Sequence, residues 1–517
     1  AAGLNILVDC GMEQGNDVYE NQELPIAASD VDCILLTHAH IDHSGLIPLM
    51  YVNGFRGQVY STSATAQLCE IMLRDSAHIQ MFEAEWRNRK AARSGGKLKE
   101  FVPLYDMDAA VNVCKQFVGC EYDRVYDIAE GIKIRFTDVG HLLGSASIEV
   151  WATEKTENGD VTEKIVFSGD IGNINKPIIK DPKHVRDADY VVMESTYGNR
   201  SHGGTPNYVE DLTDIFKRTF ERGGNVVIPS FAVGRTQELL YIIRKIKEDN
   251  LVGRDFDVYM DSPLAIEATN IFIKNVESCF DDEAVELVRK GINPLTFPGL
   301  KYATTGDESK QINFDPNPKV IISSSGMCEA GRIRHHLKHN LWRPECTIVF
   351  VGYQAVGTTG RIIVDGAEEI KLFGEPIQIK AEIVQLKGSS GHADKDGLLC
   401  WINAFDTKPK KVFVVHGEDS VCDEFTECLK EEYGYDAMAP YTGGSYDLIA
   451  DRVISEGVKE RKTRRTTSTQ RGKTVFDRLV AAGKRLMTVI THNEGGTNKD
   501  LAKFTDQINA LCDKWDR

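Results

Sequence analysis

One ten-residue stretch constrains this chain more than any other: Thr37-His38-Ala39-His40-Ile41-Asp42-His43-Ser44-Gly45-Leu46. Four metal-ligating side chains fall within six positions of it. The apolar run Cys33-Ile34-Leu35-Leu36 before it reads as a buried strand, and Gly45-Leu46-Ile47-Pro48-Leu49-Met50 reads as the helix after it. The ligands therefore sit where a strand ends and a helix begins, on backbone that a sheet can hold rigid. Neutral imidazoles suit zinc, and an Asp beside them can hold a second divalent ion. Four polar residues satisfied only by local hydrogen bonds is the weaker reading, since burying so many titratable groups without partners is costly.

The same layout recurs downstream. Val139-Gly140-His141 follows the strand-like Ile132-Lys133-Ile134-Arg135-Phe136, Ile165-Val166-Phe167-Ser168-Gly169-Asp170 ends in a carboxylate, and Val412-Phe413-Val414-Val415-His416 ends in an imidazole. Each alone reads equally well as a core His or a turn Asp. One ligand type at the end of each of several strands is what a site on a sheet edge requires.

With these motifs in this order, the sequence resembles the metallo-β-lactamase superfamily. Asp9 in Ile6-Leu7-Val8-Asp9-Cys10-Gly11 matches its first motif, His38, His40, Asp42 and His43 its second, His141 its third and Asp170 its fourth. Three further matches narrow the resemblance to the β-CASP ribonuclease branch: Glu194 in Val192-Met193-Glu194-Ser195-Thr196, His392 in Ser390-Gly391-His392-Ala393-Asp394, and His416. Pro229-Ser230-Phe231-Ala232-Val233-Gly234-Arg235-Thr236-Gln237-Glu238 and Ser323-Ser324-Ser325-Gly326-Met327 also look like this branch.

The resemblance implies an α/β fold, a metallo-β-lactamase αββα sandwich with an inserted α/β β-CASP domain. Strand patterns at 226–228, 258–260, 320–322 and 347–351 alternate with helical ones at 209–221, 236–247, 263–275 and 283–290, which independently indicates a parallel sheet. The expected division is 1–200 for the first part of the sandwich, 201–376 for the β-CASP domain, 377–450 for the second part of the sandwich, and 451–517 for a basic linker and helical extension. Family members usually begin with a further strand pair, so the first part is expected to lack its N-terminal strands. After 450, Lys459-Glu460-Arg461-Lys462-Thr463-Arg464-Arg465 and the residues to Lys473 read as a solvated linker or an RNA-contacting arm, with helical stretches at 476–480 and 501–515.

The resemblance also implies two bound metal ions, zinc by ligand softness with manganese or iron as alternatives. His38, His40, His141 and Asp170 would hold the first, and Asp42, His43, Asp170 and His416 the second, with Asp170 bridging. Such a pair lowers the pKa of bound water toward 7 and makes it a nucleophile. Asp42 and Asp170 therefore count as catalytic, and Asp9 is read as orienting a ligand. His392 is the candidate general acid, with Glu194 fixing its tautomer and favouring its cation; the bland alternative is that His392 caps a loop. Ser230 and Arg235, at a helix start, and Ser324, Ser325 and Gly326, after Val320-Ile321-Ile322, are candidate phosphate or RNA contacts. Both stretches also read as ordinary strand-to-helix turns. His335, His336 and His339 lack an accompanying carboxylate or Cys and read as a solvated basic face.

Composition sets bounds. The 517 residues carry a net charge of −16, which argues against indiscriminate nucleic-acid binding but allows a cleft where bound cations and local Arg or Lys set the potential. No run approaches a membrane span and no signal peptide is visible, so a cytoplasmic compartment is expected. The 12 cysteines are scattered, and Cys33, Cys69 and Cys114 lie in apolar runs, as reduced core residues do. The favoured reading is a ribonuclease that acts on single-stranded RNA as an endonuclease, with additional exonuclease action left open. His416 supports it, because the DNA-processing branch typically has an apolar residue there. A hydrolase of a small ester or thioester and a non-catalytic RNA-processing scaffold are the alternatives, and a homodimer is left open.

Overall fold

The structure, a computed structural model, describes residues 1–12, 24, 26–93, 101–201, 203, 207–386, 390–459, 475–494 and 497–515. Four short parallel strands, Ile6–Val8, Cys33–Leu35, Gln58–Thr62 and Phe117–Cys120, form one sheet in chain order. A second sheet has seven strands, in the order Ala437–Met438, Lys411–Val415, Tyr190–Glu194, Gly159–Phe167, Ala146–Thr156, Ile132–Asp138, Val125–Ala129.

Side-chain parity explains how the two sheets stack. Successive strand residues point to opposite faces. Cys33 and Leu35 point inward, against Ile132, Ile134, Phe136, Ile148, Val150 and Ile165 of the second sheet. Ile34 and Leu36 point the other way, onto Leu68, Ile71 and Leu73 of the long helix Ser63–Arg93. On the far side, Val166, Val191, Met193, Val412 and Val414 are covered by Leu398, Trp401 and Ile402 of Lys395–Ile402 and by Phe425 and Leu429 of Asp419–Glu431. The result is the expected αββα sandwich.

The intervening chain builds a third sheet of six parallel strands, in the order Leu300–Tyr302, Asp257–Asp261, Lys319–Ser323, Val226–Pro229, Thr347–Phe350, Glu382–Gln385. Its central strands carry unbroken apolar runs at Val226–Pro229, Val320–Ile322 and Ile348–Phe350, because helices cover both faces. Val227, Ile321 and Ile348 face Ile333, Leu337 and Leu341, while Val226, Ile228, Val258 and Val320 face Leu240, Ile243 and Phe272. The second of these cores is continuous with the helix layer of the sandwich, so the insertion is packed onto it rather than tethered. Its edge strand Glu382–Gln385 lies just before the chain returns to the sandwich at His392.

Three expectations are refined. The first helix begins inside the histidine motif, at Ile41–Ser44, with a second at Ile47–Val52, so Asp42 and His43 are helical residues. His335 and His339 are exposed as expected, but His336 is fully buried: on the helix Ile333–Asn340 it falls on the face that carries Ile333 and Leu337 into the core. The helices Val475–His492 and Asn498–Trp515 cover the expected helical stretches, while the basic residues 460–473 lie outside the described residues. All 12 cysteines are unpaired thiols, with Cys33 and Cys69 buried and Cys114 half-buried. No described helix is long and apolar enough to cross a membrane.

Candidate metal centre

Apart from Asp42 and His43, which lie on the helix Ile41–Ser44, each singled-out ligand residue sits in the loop that follows a strand. Asp9 follows Ile6–Val8, His38 and His40 follow Cys33–Leu35, and His141 follows Ile132–Asp138. Asp170 follows Gly159–Phe167, Glu194 ends Tyr190–Glu194, and His416 follows Lys411–Val415. The strands carrying Asp170, Glu194 and His416 are adjacent and parallel, which brings residues far apart in sequence to one edge. His392 is placed by the cap of the next helix, where the Asp394 carboxylate accepts the Gly397 N–H, and by a bridge to Gly172.

Asp170 is the hub. On the side of its Oδ2 lie His38 Nε2 at 3.3 Å and His141 Nε2 at 3.4 Å. His40 Nδ1 completes that group, 3.0 Å from His38 Nε2 and 3.2 Å from His141 Nε2. On the side of Oδ1 lie His43 Nε2 at 3.2 Å and His416 Nε2 at 3.6 Å, with Asp42 Oδ2 3.7 Å from His416 Nε2. Ligand atoms of His38, His40, His141 and Asp170 lie within 4.8 Å of one another, as do those of Asp42, His43 and His416.

The outer atoms of these rings are held by partners. Asp9 accepts the Thr37 N–H at 2.8 Å with Oδ1, and with Oδ2 the Thr37 hydroxyl at 2.8 Å and His43 Nδ1 at 2.7 Å. His43 Nδ1 therefore carries the proton and its Nε2 is turned toward Asp170. His141 Nδ1 donates to the Gly391 carbonyl at 3.1 Å, and His416 Nδ1 lies 3.1 Å from the Thr196 hydroxyl. These second partners fix both tautomer and ring orientation, as they do around bound metals. Thr37, Thr196 and the Gly391 carbonyl were not singled out from sequence, where a hydroxyl or carbonyl next to a ligand looks like any other.

The donor set fits a cation. Both Asp170 oxygens are buried and neither has a hydrogen-bond donor among the described residues. Burial pushes the Asp170 carboxyl up, but the surrounding His416, His43 and His38 outweigh it and hold it well below its usual range. A buried, ionised carboxylate without donors is expensive unless a cation neutralises it. Burial together with neighbouring imidazoles keeps His38, His40 and His141 neutral, the form that ligates; His40 is lowered to about 3. On the other side, burial opposes the cations of His43 and His416, but Asp170 with Asp9 for the one and Asp170 with Asp42 for the other outweigh it, and His416 rises to about 9.

His392 stands beside this cluster. Its Nδ1 lies 3.2 Å from each Glu194 oxygen and 3.8 Å from Asp170 Oδ2. Burial lowers its proton affinity, but Glu194 and Asp170 raise it further, for a net rise. Glu194 is itself pinned by the Ile171 N–H at 2.6 Å and the Thr196 N–H at 3.3 Å.

These residues match three family profiles. Residues 1–173 match a metallo-β-lactamase superfamily domain, 236–363 a β-CASP domain, and 376–440 a Zn-dependent metallo-hydrolase RNA specificity domain. Ribonuclease TTHA0252 of Thermus thermophilus is 34% identical over 420 residues, 81% of this chain and 89% of its own. The chain belongs to the β-CASP branch of the metallo-β-lactamase superfamily. An RNase J-like protein of Methanocaldococcus jannaschii is 31% identical, over 80% of this chain and 87% of its own. The transcription termination factor FttA of Methanosarcina mazei is 32% identical over 84% of this chain, which spans 66% of that relative's length. This β-CASP protein is a zinc-dependent metallo-hydrolase of RNA.

The phosphate candidates of this β-CASP protein divide. Arg235 starts the helix Arg235–Glu248 and is joined to the metal centre through Glu238: Arg235 Nη1 lies 2.5 Å from Glu238 Oε2, Lys176 Nζ lies 3.4 Å from Glu238 Oε1, and Lys176 Nζ donates to the His141 carbonyl at 2.9 Å. Lys176, which sequence reasoning missed, thus ties the insertion to the His141 loop. The Ser230 side chain is instead buried, donating to the Phe231 carbonyl, and Ser324 donates to the Ser262 hydroxyl at 3.1 Å. Ser325 bonds within its own loop, to Ala330, and Gly326 lies under the Phe231 ring.

Proposed function

We propose that this protein hydrolyses phosphodiester bonds of single-stranded RNA, cutting internally and also able to act from an end, with two zinc ions. The observation that carries this reading is the Asp170 carboxylate, buried with no hydrogen-bond donor among the described residues and flanked by one group of imidazoles on each oxygen. His38, His40, His141 and Asp170 would hold one ion, and Asp42, His43, His416 and Asp170 the other. When bound, such a pair acts as a Lewis acid toward the phosphoryl oxygens and makes water nucleophilic at neutral pH.

The remaining roles belong to the chain. Asp9 holds His43 with its proton on Nδ1 and its Nε2 inward. Gly391 does the same for His141 through its carbonyl. Glu194 accepts from His392 Nδ1 and favours the protonated ring, so that Nε2 carries the proton required by the departing ribose oxygen. Arg235 and Lys176, linked through Glu238 next to His141, supply positive charge for the substrate backbone in a chain that is otherwise acidic. In this reading the sandwich holds the ions and the insertion, whose sheet runs past the expected boundary at 376 to the edge strand Glu382–Gln385, contributes Arg235.

Cleavage of an end-labelled single-stranded RNA and its matched DNA, by the wild type and Asp170→Ala in zinc, tests this. RNA cut by the wild type and spared by the variant is the expected result, and the product ladder separates internal from terminal attack. Equal inertness of both proteins toward RNA refutes the reading.

A further inference from the structure

The stretch from Pro229 to Gly234 carries a residue that the chemistry above leaves unused. Phe231 follows the strand Val226–Pro229 and is 49% exposed. Its neighbour in the sheet is Thr347–Phe350, parallel and registered Val226 to Thr347 and Val227 to Ile348, and Tyr353 leaves the same end of that strand 52% exposed. Lone exposed apolar side chains need no explanation. Two aromatic rings at the same ends of adjacent strands, on pinned backbone, are a different matter.

The pinning is specific. The Phe231 carbonyl accepts the Thr236 hydroxyl at 2.7 Å, the Thr236 N–H at 3.3 Å and the Ser230 hydroxyl at 3.2 Å. The ring rests on Gly326, where an added Cβ would lie only 3.0 and 3.1 Å from ring carbons, so a glycine there gives the ring its seat. The Gly326 carbonyl in turn accepts Gln354 Nε2 at 3.2 Å, which also donates to the Tyr353 carbonyl at 3.2 Å. The seat of the Phe231 ring at Gly326 is thus tied through Gln354 to the Tyr353 backbone. From Phe231 the next helix leads within a turn to Arg235, Glu238, Lys176 and the His141 carbonyl.

We propose that Phe231, with Tyr353, is a stacking platform for an unpaired base of the RNA, an inference that rests on the ribonuclease reading. A nucleotide offers a π face and a phosphate, and this edge offers an exposed, seated ring four residues before Arg235, which is linked to Lys176 through Glu238. Every base has a π face, so such a contact tolerates sequence, whereas a duplex hides its faces in its own stack. The platform therefore selects single strands without selecting sequence.

The test uses one fluorescein-labelled single-stranded RNA in two assays, anisotropy in EDTA and steady-state cleavage in zinc. Phe231→Ala is expected to raise Kd and KM roughly tenfold, the scale of losing one base–aromatic stack, with the loss concentrated in KM. Phe231→Tyr should retain wild-type binding, and Phe231→Leu, which keeps apolar bulk without a π face, should resemble Phe231→Ala. Moving a single abasic nucleotide along the RNA should weaken wild-type binding at one position, at which Phe231→Ala loses nothing more. Unchanged binding in Phe231→Ala, full rescue by leucine, or additive losses at every abasic position would overturn the proposal. A wild type that binds but never cleaves would refute the ribonuclease reading alone, and the EDTA arm would still decide the platform.

Discussion

Replacing Asp9 by Asn separates the orientation of a ligand from its identity. Asp9 has φ +57°, a left-handed conformation that Asn adopts readily, so the backbone need not change. The carboxylate makes three contacts of 2.7–2.8 Å, with the Thr37 N–H, the Thr37 hydroxyl and His43 Nδ1. Asn can keep its oxygen on the Thr37 N–H, which turns its NH2 toward His43 Nδ1. That nitrogen must then accept, and the imidazole proton moves to Nε2, the atom 3.2 Å from Asp170 Oδ1 and 2.9 Å from His416 Nε2. A proton there occupies the position from which His43 would ligate. Losing such an orienting carboxylate typically weakens metal affinity 10–100-fold, or about 1.4–2.8 kcal/mol. Competition of the stripped protein against a chromophoric zinc chelator measures this directly, and the weaker of two binding events should shift while the other is nearly unchanged. Two unshifted zinc affinities in Asp9→Asn, in a variant that melts like the wild type, would refute the tautomer argument.

Other perturbations have equally definite outcomes. His392→Ala should lower kcat by about 10²–10⁴-fold, the span of a positioned general acid, and Glu194→Gln should fall in the same direction because it removes the charge facing His392 Nδ1; zinc content should not change in either. Asp138, buried at the end of Ile132–Asp138, is raised from 3.8 to about 7, mainly by burial and against the Gly140 N–H and Lys180. The folded state thus holds its proton more tightly than the unfolded state, and its contribution to stability is fully present below pH 4 and lost as pH rises toward 7, by about 4 kcal/mol at most. Asp138→Asn should abolish this part of the slope in urea titrations between pH 4 and 8. Asp261, fully buried, joins Arg332 Nη1 at 2.7 Å, His336 Nε2 at 2.6 Å and the Ser309 hydroxyl at 2.5 Å. Asp261→Ala strands those donors and should destabilise the protein by about 3–5 kcal/mol, read from the urea midpoint.

The ligands were legible because most follow an apolar strand, where a titratable residue stands out, and Asp42 and His43 share one short motif with His38 and His40. His43 and His416, 373 positions apart, could be paired from sequence only through that repeated pattern and the family resemblance. Their partners were not legible. Whether Thr37, Thr196 or the Gly391 carbonyl meets a ring nitrogen depends on loop geometry, and nothing in a Thr or a Gly advertises it. Lys176 was missed for the same reason, since its role exists only once the insertion brings Glu238 against it. The burial of His336 was missed because its neighbours His335 and His339 set a basic pattern, while its partner Asp261 lies on a distant strand. Ser230 was singled out and Phe231 passed over, though the structure buries the first and exposes the second.

The central claim is that the two oxygens of Asp170 organise two metal ions. Elemental analysis of the stripped protein after zinc loading and desalting tests it, for the wild type and Asp170→Ala. Two zinc ions per wild-type chain, with neither retained stoichiometrically by the variant, is the predicted result. A wild type that holds one ion or none, or an Asp170→Ala variant that still holds two, would contradict it.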